Sequence, residues 1–288
     1  LSEIAEPTLE AAAQPDFKDW RRIDYGKRIR NYGLLRGASS LTSFMSLRAS
    51  TVGRFVSMAG FGYDESTTVR PPNDSAALRA FLSVTEYYKT DDSPVPEGFV
   101  LDRKENGIPV YTNPNAVPMG FLQTVCTGTH HQRMDSETVP TVMLAAVTLE
   151  DDALEKYGDR MARLDVYAIP DWRESVARLK ENACDSFEIF ANGFTAKIDA
   201  KDAGMLVFTI PFDKGFSATV DGQKAEIVNC DVAFMGVFVE AGAHEIVFTY
   251  HTRGLTIGVV MSLLAAGMLI VYCAAAKAMM KKKGDCQA

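Results

Sequence analysis

Hydrophobic and polar residues follow a period of two between residues 183 and 254. Four segments show this strand-like pattern, FEIFANGFTAKID, GMLVFTIPF, FSATVDGQKAEIV and AFMGVFVEAGAHEIVFTYH. This alternation is typical of strands with one buried face, and Asp221-Gly222 and Gly242 supply turns for them. Strands of this length and spacing predict an antiparallel β-sandwich of jelly-roll-like form.

Residues 75 to 182 combine helical and strand patterns. Asp74 or Ser75 can cap a short helix through AALRAFLSV, and the strand-like VTEYYK follows it. Asn106-Gly107 supplies the positive backbone angles of a tight turn and predicts a hairpin there. Strands are predicted over 99–103, 108–112 and 119–124, and helices over 138–146, 152–161 and 172–182.

Before residue 75, Gly, Ser and Arg interrupt every apolar run, which predicts short strands and loops. The whole chain is therefore predicted to be a β-rich α+β protein. Its predicted parts are an irregular outer segment (1–74), a mixed α/β outer region (75–182), the sandwich (183–254), a transmembrane helix (255–276) and a basic cytoplasmic tail (277–288).

One segment near the C-terminus, LTIGVVMSLLAAGMLIVYCAAA, carries no charge over roughly 22 residues and can cross a bilayer core of about 30 Å. Lys277 and three lysines at 281–283 follow it, whereas Arg253 and His251 lie close to its other end. The positive-inside rule then predicts a cytoplasmic tail and an extracytoplasmic position for residues 1 to 254. Because residues 1 to 20 contain no export signal, we expect the chain to be the tail of a longer membrane protein.

The composition is that of a globular protein with one span, since 47% of the residues are hydrophobic and 23% are charged. Outside the span and tail, which hold four Lys and one Asp, the net charge is about −10. Nucleic acids bind basic surfaces, so this charge argues against a nucleic-acid partner. Cys126, Cys184 and Cys230 lie before the span in no metal-binding spacing. We expect buried free thiols there, with a single disulfide as the alternative.

The best candidate for substrate contact is a basic segment with interleaved tyrosines near the N-terminus. Arginine can bind a phosphate through two hydrogen bonds and tyrosine can stack on a sugar ring, as a lipid-linked phosphosugar would require. The alternative is a solvated charged face. A second candidate is the histidine pair at 130–131, although neighbours on a strand point to opposite faces and would not normally bind one ion. The predicted substrate-binding residues are Arg22, Arg28, Arg30, Asn31, Tyr32 and His130.

Other polar residues favour structural interpretations. Asp221-Gly222 fits a type I′ turn, and His244 on an alternating strand is expected to point outward or to bond a loop. The acidic pairs at 91–92 and 151–152 are expected to be helix caps or solvated loops. The sequence contains no Ser/His/Asp order, P-loop or HExxH motif. We therefore predict no catalytic residue, no metal site and no cofactor within these 288 residues.

Several segments, in order, resemble the YfhO family of bacterial membrane proteins. The C-terminal one reads GFSATVDGQKAEIVNCDVAFMGVFVEAGAHEIVFTYHTRGLTIGVVMSLLAAGMLIVY, with a VDG turn, an AFMGV-like strand and a GxHxI strand before the last membrane helix. Two upstream segments, ENGIPVYTNPNAVPMGF and RIRNYGLLRGASSLTSFMS, are similar to other parts of that family. Phe216 stands where the family often has Trp, which favours core packing over sugar stacking at this position.

The resemblance implies a polytopic protein of the bacterial plasma membrane of the GT-C glycosyltransferase type. Such proteins move a sugar from a polyprenyl-phosphate carrier to a cell-envelope polymer, and their catalytic carboxylate usually lies in the first outer loop. The present chain would then be an extracytoplasmic region that is non-catalytic alone. Two alternatives stay open: a membrane-anchored module that binds carbohydrate or a partner, and a structural cap of a larger complex.

Overall fold

The computed structural model describes residues 22–26, 33, 37–41, 43–44, 49–64, 68–70, 75–129 and 134–285. The chain divides into two compact units, Leu1–Thr249 and Tyr250–Ala288, here called the globular unit and the helical unit. The helices are α1 (Ser50–Met58), α2 (Ala76–Phe81), α3 (Thr138–Ala145), α4 (Asp151–Tyr157), α5 (Trp172–Glu181) and α6 (Leu255–Asp285), with a 3-10 turn at Gly158–Arg160.

Strands make up most of the remaining regular structure, which confirms a β-rich α+β fold. In the first half they are β1 (Arg22–Asp24), β2 (Ser39–Ser40), β3 (Ser43–Phe44), β4 (Gly62–Asp64), β5 (Thr68–Arg70), β6 (Val84–Tyr88), β7 (Val100–Glu105), β8 (Ile108–Thr112), β9 (Phe121–Gln123) and β10 (Val125–Thr127). In the second half they are β11 (Val147–Thr148), β12 (Ala162–Arg163), β13 (Ser186–Phe190), β14 (Gly193–Ala200), β15 (Gly204–Pro211), β16 (Phe216–Val220), β17 (Gln223–Ala225), β18 (Val228–Cys230), β19 (Phe234–Val239) and β20 (Gly242–Tyr250).

The N-terminal sheet has the strand order β2-β1-β6-β8-β7. β1 lies between β2 and β6 and is parallel to both, whereas β8 lies between β6 and β7 and is antiparallel to both. The hairpin of β7 and β8 turns at Asn106 (φ 49°) and Gly107 (φ 80°). These positive angles confirm the predicted tight turn, because a type I′ turn requires them at both central residues.

The predicted helices between residues 75 and 182 are confirmed with small changes at their ends. α2 begins after Ser75, whose Oγ accepts a hydrogen bond from the Leu78 backbone N–H at 3.3 Å. This cap satisfies one of the free N–H groups at the start of a helix. The helix expected over 152–161 is α4 with the 3-10 turn that follows it.

Helix α1 corrects the prediction that only short strands and loops precede residue 75. Gly53 and the β-branched Val52 lower its intrinsic helix propensity. However, the Phe55 side chain is buried, and its ring centroid lies 4.8 Å from that of Phe234. Tertiary packing therefore stabilises a helix that the local sequence does not favour.

The main core of the globular unit collects buried side chains from α1, α2, α3 and α5 and from the strands beside them. Phe81 is at its centre, with ring centroids 5.9 Å from Phe121 and 5.7 Å from Phe234. Next to this core, β10 is parallel to β11 and β12. Helices and strands from most of the unit's length thus share one apolar interior.

The predicted antiparallel sandwich is confirmed. It consists of two sheets, with the strand orders β13-β14-β20-β16-β17 and β18-β19-β15-β9. Their inner faces form a second core, in which the Phe248 ring centroid lies 4.5 Å from Phe194 and 5.3 Å from Phe208. Phe216 packs against this core, as expected from its place where the YfhO family often has Trp. β9 pairs with β15 and brings residues 121–123 into the sandwich, so this layer begins well before residue 183.

The helical unit contains α6, whose segment Leu255–Lys277 has a mean hydropathy of 2.3 and is 0% buried. Its length of 23 residues corresponds to about 34 Å at 1.5 Å per residue, which is enough to cross a bilayer core. The predicted membrane helix is therefore present as one candidate span in the part of the chain that the structure describes.

Candidate functional site

Arg22 is the predicted substrate-contact residue that lies within the described residues, and it is buried at the start of β1. Its guanidinium donates hydrogen bonds to the Leu82 carbonyl (2.5 Å), to the Thr209 carbonyl (2.9 Å) and to Ser39 Oγ (3.2 Å). Burial lowers the pKa of Arg22 to about 10, so the side chain stays positively charged at neutral pH. Arg22 thus links β1 to the end of α2 and to β15 of the sandwich.

Asp24, two residues further along β1, forms a buried ion pair with Arg79 of α2. The Nε–Oδ2 distance is 2.9 Å, and the side chains are only 3% (Arg79) and 0% (Asp24) exposed. The other carboxylate oxygen of Asp24 accepts a hydrogen bond from the Gly26 backbone N–H at 2.9 Å. A buried charge without a partner is costly, so this pair is strongly held once it has formed.

A second polar group, here called the Arg103 cluster, lies on the same sheet and consists of Glu86, Tyr88, Arg103 and Glu105. Arg103 Nη2 donates to Glu86 Oε2 (3.1 Å) and to the Tyr88 hydroxyl (3.3 Å), and the Tyr88 hydroxyl donates to Glu105 Oε2 (2.9 Å). Burial and the neighbouring carboxylates raise the pKa of Tyr88. The hydrogen bond to Asp102 and then that to Glu86 raise the pKa of Arg103.

The two groups lie on opposite faces of the sheet. β1 and β6 are aligned so that Ile23 stands beside Glu86 and Asp24 beside Tyr87, and successive strand residues point to opposite sides. The ring centroids of Tyr25 and Tyr88 are 5.0 Å apart, which places Tyr25 on the side of the Arg103 cluster. Residues 22–25 are thus held from both faces, directly before the basic, tyrosine-containing segment in the sequence.

Arg28, Arg30, Asn31, Tyr32 and His130 lie outside the described residues. Their predicted role in substrate contact remains a prediction, as does that of Arg22.

His244 and Asp221 meet at the end of the sandwich. His244 Nδ1 lies 2.7 Å from Asp221 Oδ2, and His244 Nε2 lies 3.1 Å from the Glu240 carbonyl. The Glu245 backbone N–H and then the His244 ring hold the pKa of Asp221 below its ordinary value. Asp221 (φ 52°) and Gly222 (φ 75°) form the predicted type I′ turn. Both expectations are confirmed: the pair closes a turn, and His244 bonds a loop.

Asp231 is a buried acid that the sequence patterns did not single out. Its side chain is 0% exposed, and Oδ1 accepts a hydrogen bond from the Thr148 backbone N–H at 2.9 Å. Oδ2 has no hydrogen-bond partner among the described residues. Burial raises the pKa of Asp231 from 3.8 to about 7, although the Thr148 hydrogen bonds act in the opposite direction. The backbone is also unusual here, with positive φ at Asp231 (49°) and at the β-branched Val232 (72°).

The cysteines before the span are free thiols, as expected. Cys126 and Cys230 are buried and Cys184 is partly buried. Burial raises the pKa of Cys184 to about 12, which keeps it protonated at neutral pH. Within the described ranges, no group of three or more His, Cys, Asp or Glu side chains is arranged to hold a metal ion.

Comparison with known proteins supports the resemblance seen in the sequence. The family model described as bacterial membrane protein YfhO matches residues 147–262, which run from β11 into α6. No curated protein and no solved structure matches the chain. Residues 147–262 are therefore similar to this family of bacterial membrane proteins, and the apolar helix that follows the sandwich is long enough to cross a lipid bilayer.

Proposed function

We propose, from the match to the YfhO family at residues 147–262, that this chain belongs to a polytopic bacterial membrane protein that takes part in cell-envelope glycosylation, and that residues 1–254 are extracytoplasmic. The family match carries the proposal, because it covers most of the sandwich and the first part of α6. Sugar transfer from a polyprenyl-phosphate carrier would use catalytic residues outside residues 1–288, and this region would help to bind the carrier or the envelope polymer.

The proposed binding residues are Arg28, Arg30, Asn31 and Tyr32 of the basic segment, together with His130, and the buried Arg22 would act by holding the strand before them. Support comes from the way the segment is attached. Arg22 and the Asp24–Arg79 ion pair hold β1 in the sheet, so the segment follows a fixed strand in the chain. Arginines could then bind the phosphate groups of a carrier lipid.

A complementation experiment tests the role in glycosylation. The gene for the full-length protein is deleted and restored as the intact form or as an Arg28→Ala/Arg30→Ala variant, and the sugar content of the extracted envelope polymers is measured. We expect the intact protein to restore the sugar and the double variant to lower it at equal protein abundance. Lys201→Ala/Asp202→Ala, at an exposed turn between β14 and β15, is the matched control and should behave as the intact protein.

The outcomes separate the parts of the proposal. Envelope sugar that is unchanged by loss of the whole protein would refute the role in glycosylation. If the envelope sugar depends on the protein but not on Arg28 and Arg30, the proposed binding role of the basic segment is refuted and the role of the protein in glycosylation stands. A loss of sugar that follows from lower protein abundance in the double variant would favour a structural cap.

The membrane orientation is tested with native and introduced cysteines. The proposed cytoplasmic tail contains Cys286, which a membrane-impermeant maleimide should label only after the cells are permeabilised. Tyr167 is 97% exposed, so Tyr167→Cys in a Cys286→Ser background should be labelled in intact cells. Labelling of Cys286 in intact cells would reverse the proposed orientation. The buried Cys126 and Cys230 should contribute little background.

A further inference from the structure

Three turns of the globular unit place Asn or Asp directly before Gly, and their geometries differ. Asn106-Gly107 joins β7 to β8, Asn192-Gly193 lies at the turn from β13 to β14, and Asp221-Gly222 joins β16 to β17. In such pairs the backbone nitrogen of the glycine can attack the side-chain carbonyl carbon of the preceding residue. The reaction requires that both groups are accessible and that the local backbone can adjust.

Asn106-Gly107 meets these requirements. Both residues are exposed, and a Cβ added to Gly107 would meet no atom within 4 Å. Glu105 and Ile108 are the last paired residues of the two strands, so the two turn residues stand outside the ladder. The Asn106 side-chain amide has no hydrogen-bond partner among the described residues. The Asn106 amide carbon and the Gly107 nitrogen are thus unrestrained by other parts of the protein.

Asn192-Gly193 has the same residue types in a restrained backbone. Gly193 is itself a strand residue, paired with Phe190 on one side and with Thr249 on the other. A Cβ added to Gly193 would lie 1.9 Å from the Phe248 carbonyl oxygen, which shows how closely β20 approaches. The Gly193 nitrogen is therefore fixed in the sheet and cannot turn toward the Asn192 side chain without local unfolding.

Asp221-Gly222 has nearly the same backbone as Asn106-Gly107, with φ of 52° and 75° against 49° and 80°. Its carboxylate is held on both oxygens, by the Glu245 backbone N–H at 2.9 Å and by His244 Nδ1 at 2.7 Å. A carboxylate that is ionised and hydrogen-bonded through both oxygens is a poor electrophile. The two type I′ turns therefore differ in the side chain and not in the backbone.

We infer that Asn106 is a deamidation site of the folded protein. The Gly107 backbone nitrogen, after losing its proton, forms a bond to Cγ of Asn106, and the bond from Cγ to the side-chain nitrogen breaks so that ammonia leaves. Water then opens the cyclic imide at either carbonyl and yields aspartate or isoaspartate. The step uses only water and involves no oxidant or reductant. The new carboxylate stands next to Glu105 and adds one negative charge to the end of the hairpin.

The experiment follows all three turns in one sample of the full chain in detergent micelles. The protein is incubated in mildly alkaline buffer, and peptide mapping by mass spectrometry quantifies aspartate and isoaspartate at residues 106, 192 and 221 over time. We expect Asn106 to react at least about tenfold faster than Asn192, the effect of a barrier difference of ~1.4 kcal/mol. Asn106→Gln is the matched control, because its longer side chain forms the cyclic imide much more slowly.

A parallel incubation in denaturant removes the structural restraint. In the unfolded chain the two Asn-Gly pairs should react at similar rates, which attributes their difference in the folded protein to the turn geometry. Equal rates at Asn106 and Asn192 in the folded protein would overturn the inference. A folded protein that stays unmodified at Asn106 while the unfolded chain reacts there would overturn it as well.

Discussion

Replacing Asp231 with Asn should stabilise the globular unit at neutral and alkaline pH. The folded protein binds a proton on Asp231 more tightly than the unfolded chain, because burial raises its pKa from 3.8 to about 7. The contribution of Asp231 to the wild-type free energy of unfolding should therefore fall as the pH rises from about 4 to about 7 and should be constant above that range. Asn cannot ionise, so the variant should lack this fall.

The size of the effect follows from the pKa. Each pKa unit corresponds to about 1.4 kcal/mol. The difference of about three between the folded and the unfolded chain therefore corresponds to ~4 kcal/mol. Asn keeps an oxygen that can accept the Thr148 N–H hydrogen bond, and it tolerates the positive φ of 49° at this position. Its amide nitrogen, however, would replace Oδ2 without a partner among the described residues, at a cost of ~1 to 3 kcal/mol. The expected net gain above pH 7 is therefore ~1 to 3 kcal/mol.

Guanidinium denaturation of the full chain in micelles, followed by tryptophan fluorescence, measures this gain as a function of pH. The denaturant slope verifies that the same surface unfolds in both proteins. Asp202→Asn, in the exposed turn between β14 and β15, is the control and should show no pH-dependent difference from wild type. An Asp231→Asn variant that is less stable than wild type at about pH 8, or a difference in stability that does not change with pH, would show that ionising Asp231 does not destabilise the folded protein.

Three further predictions concern packing and buried charge, and the same denaturation experiment measures each. Arg79→Leu should lower the free energy of unfolding by ~3 to 5 kcal/mol because it leaves the Asp24 carboxylate buried without its cation. Adding Asp24→Asn should recover part of this stability. A further, additive loss of stability in the double variant would contradict this explanation. Gly193→Ala should destabilise the sandwich because its Cβ would lie 1.9 Å from the Phe248 carbonyl oxygen, and an unchanged unfolding midpoint would show that β20 can move away. Phe208→Ala should cost ~3 to 5 kcal/mol because the side chain is fully buried in the second core, and a cost below ~1 kcal/mol would mean that the core collapses around the cavity.

The local sequence pattern predicted those elements that can be recognised from residues close to one another in the chain. Alternating apolar residues predicted the strands of the sandwich, and the paired turn residues at 106–107 and 221–222 predicted type I′ turns because few residues tolerate positive φ. The uncharged run that becomes α6 needed only its length and composition. In each case the residues that form the predictive pattern lie close to one another in the chain.

The features that the sequence pattern did not predict depend on contacts between residues distant in the chain. The Asp24–Arg79 pair joins residues separated by 55 positions, and Arg22 reaches Thr209 across 187 positions, so no local pattern could identify either contact. Helix α1 and strand β9 are stabilised by partners distant in the sequence. Asp231 looks like an ordinary turn aspartate in the sequence, and only the packing of β18 and β19 against the Thr148 segment buries its carboxylate.

Periodicity, length and motif order are properties of the chain, so the fold class, an apolar helix long enough to span a membrane and the resemblance to the YfhO family could be predicted from the sequence. The identity of the buried charges and of the partners that hold them became visible only in the folded protein. Burial depends on the sum of contacts from separate segments, and that sum exists only once the segments have come together.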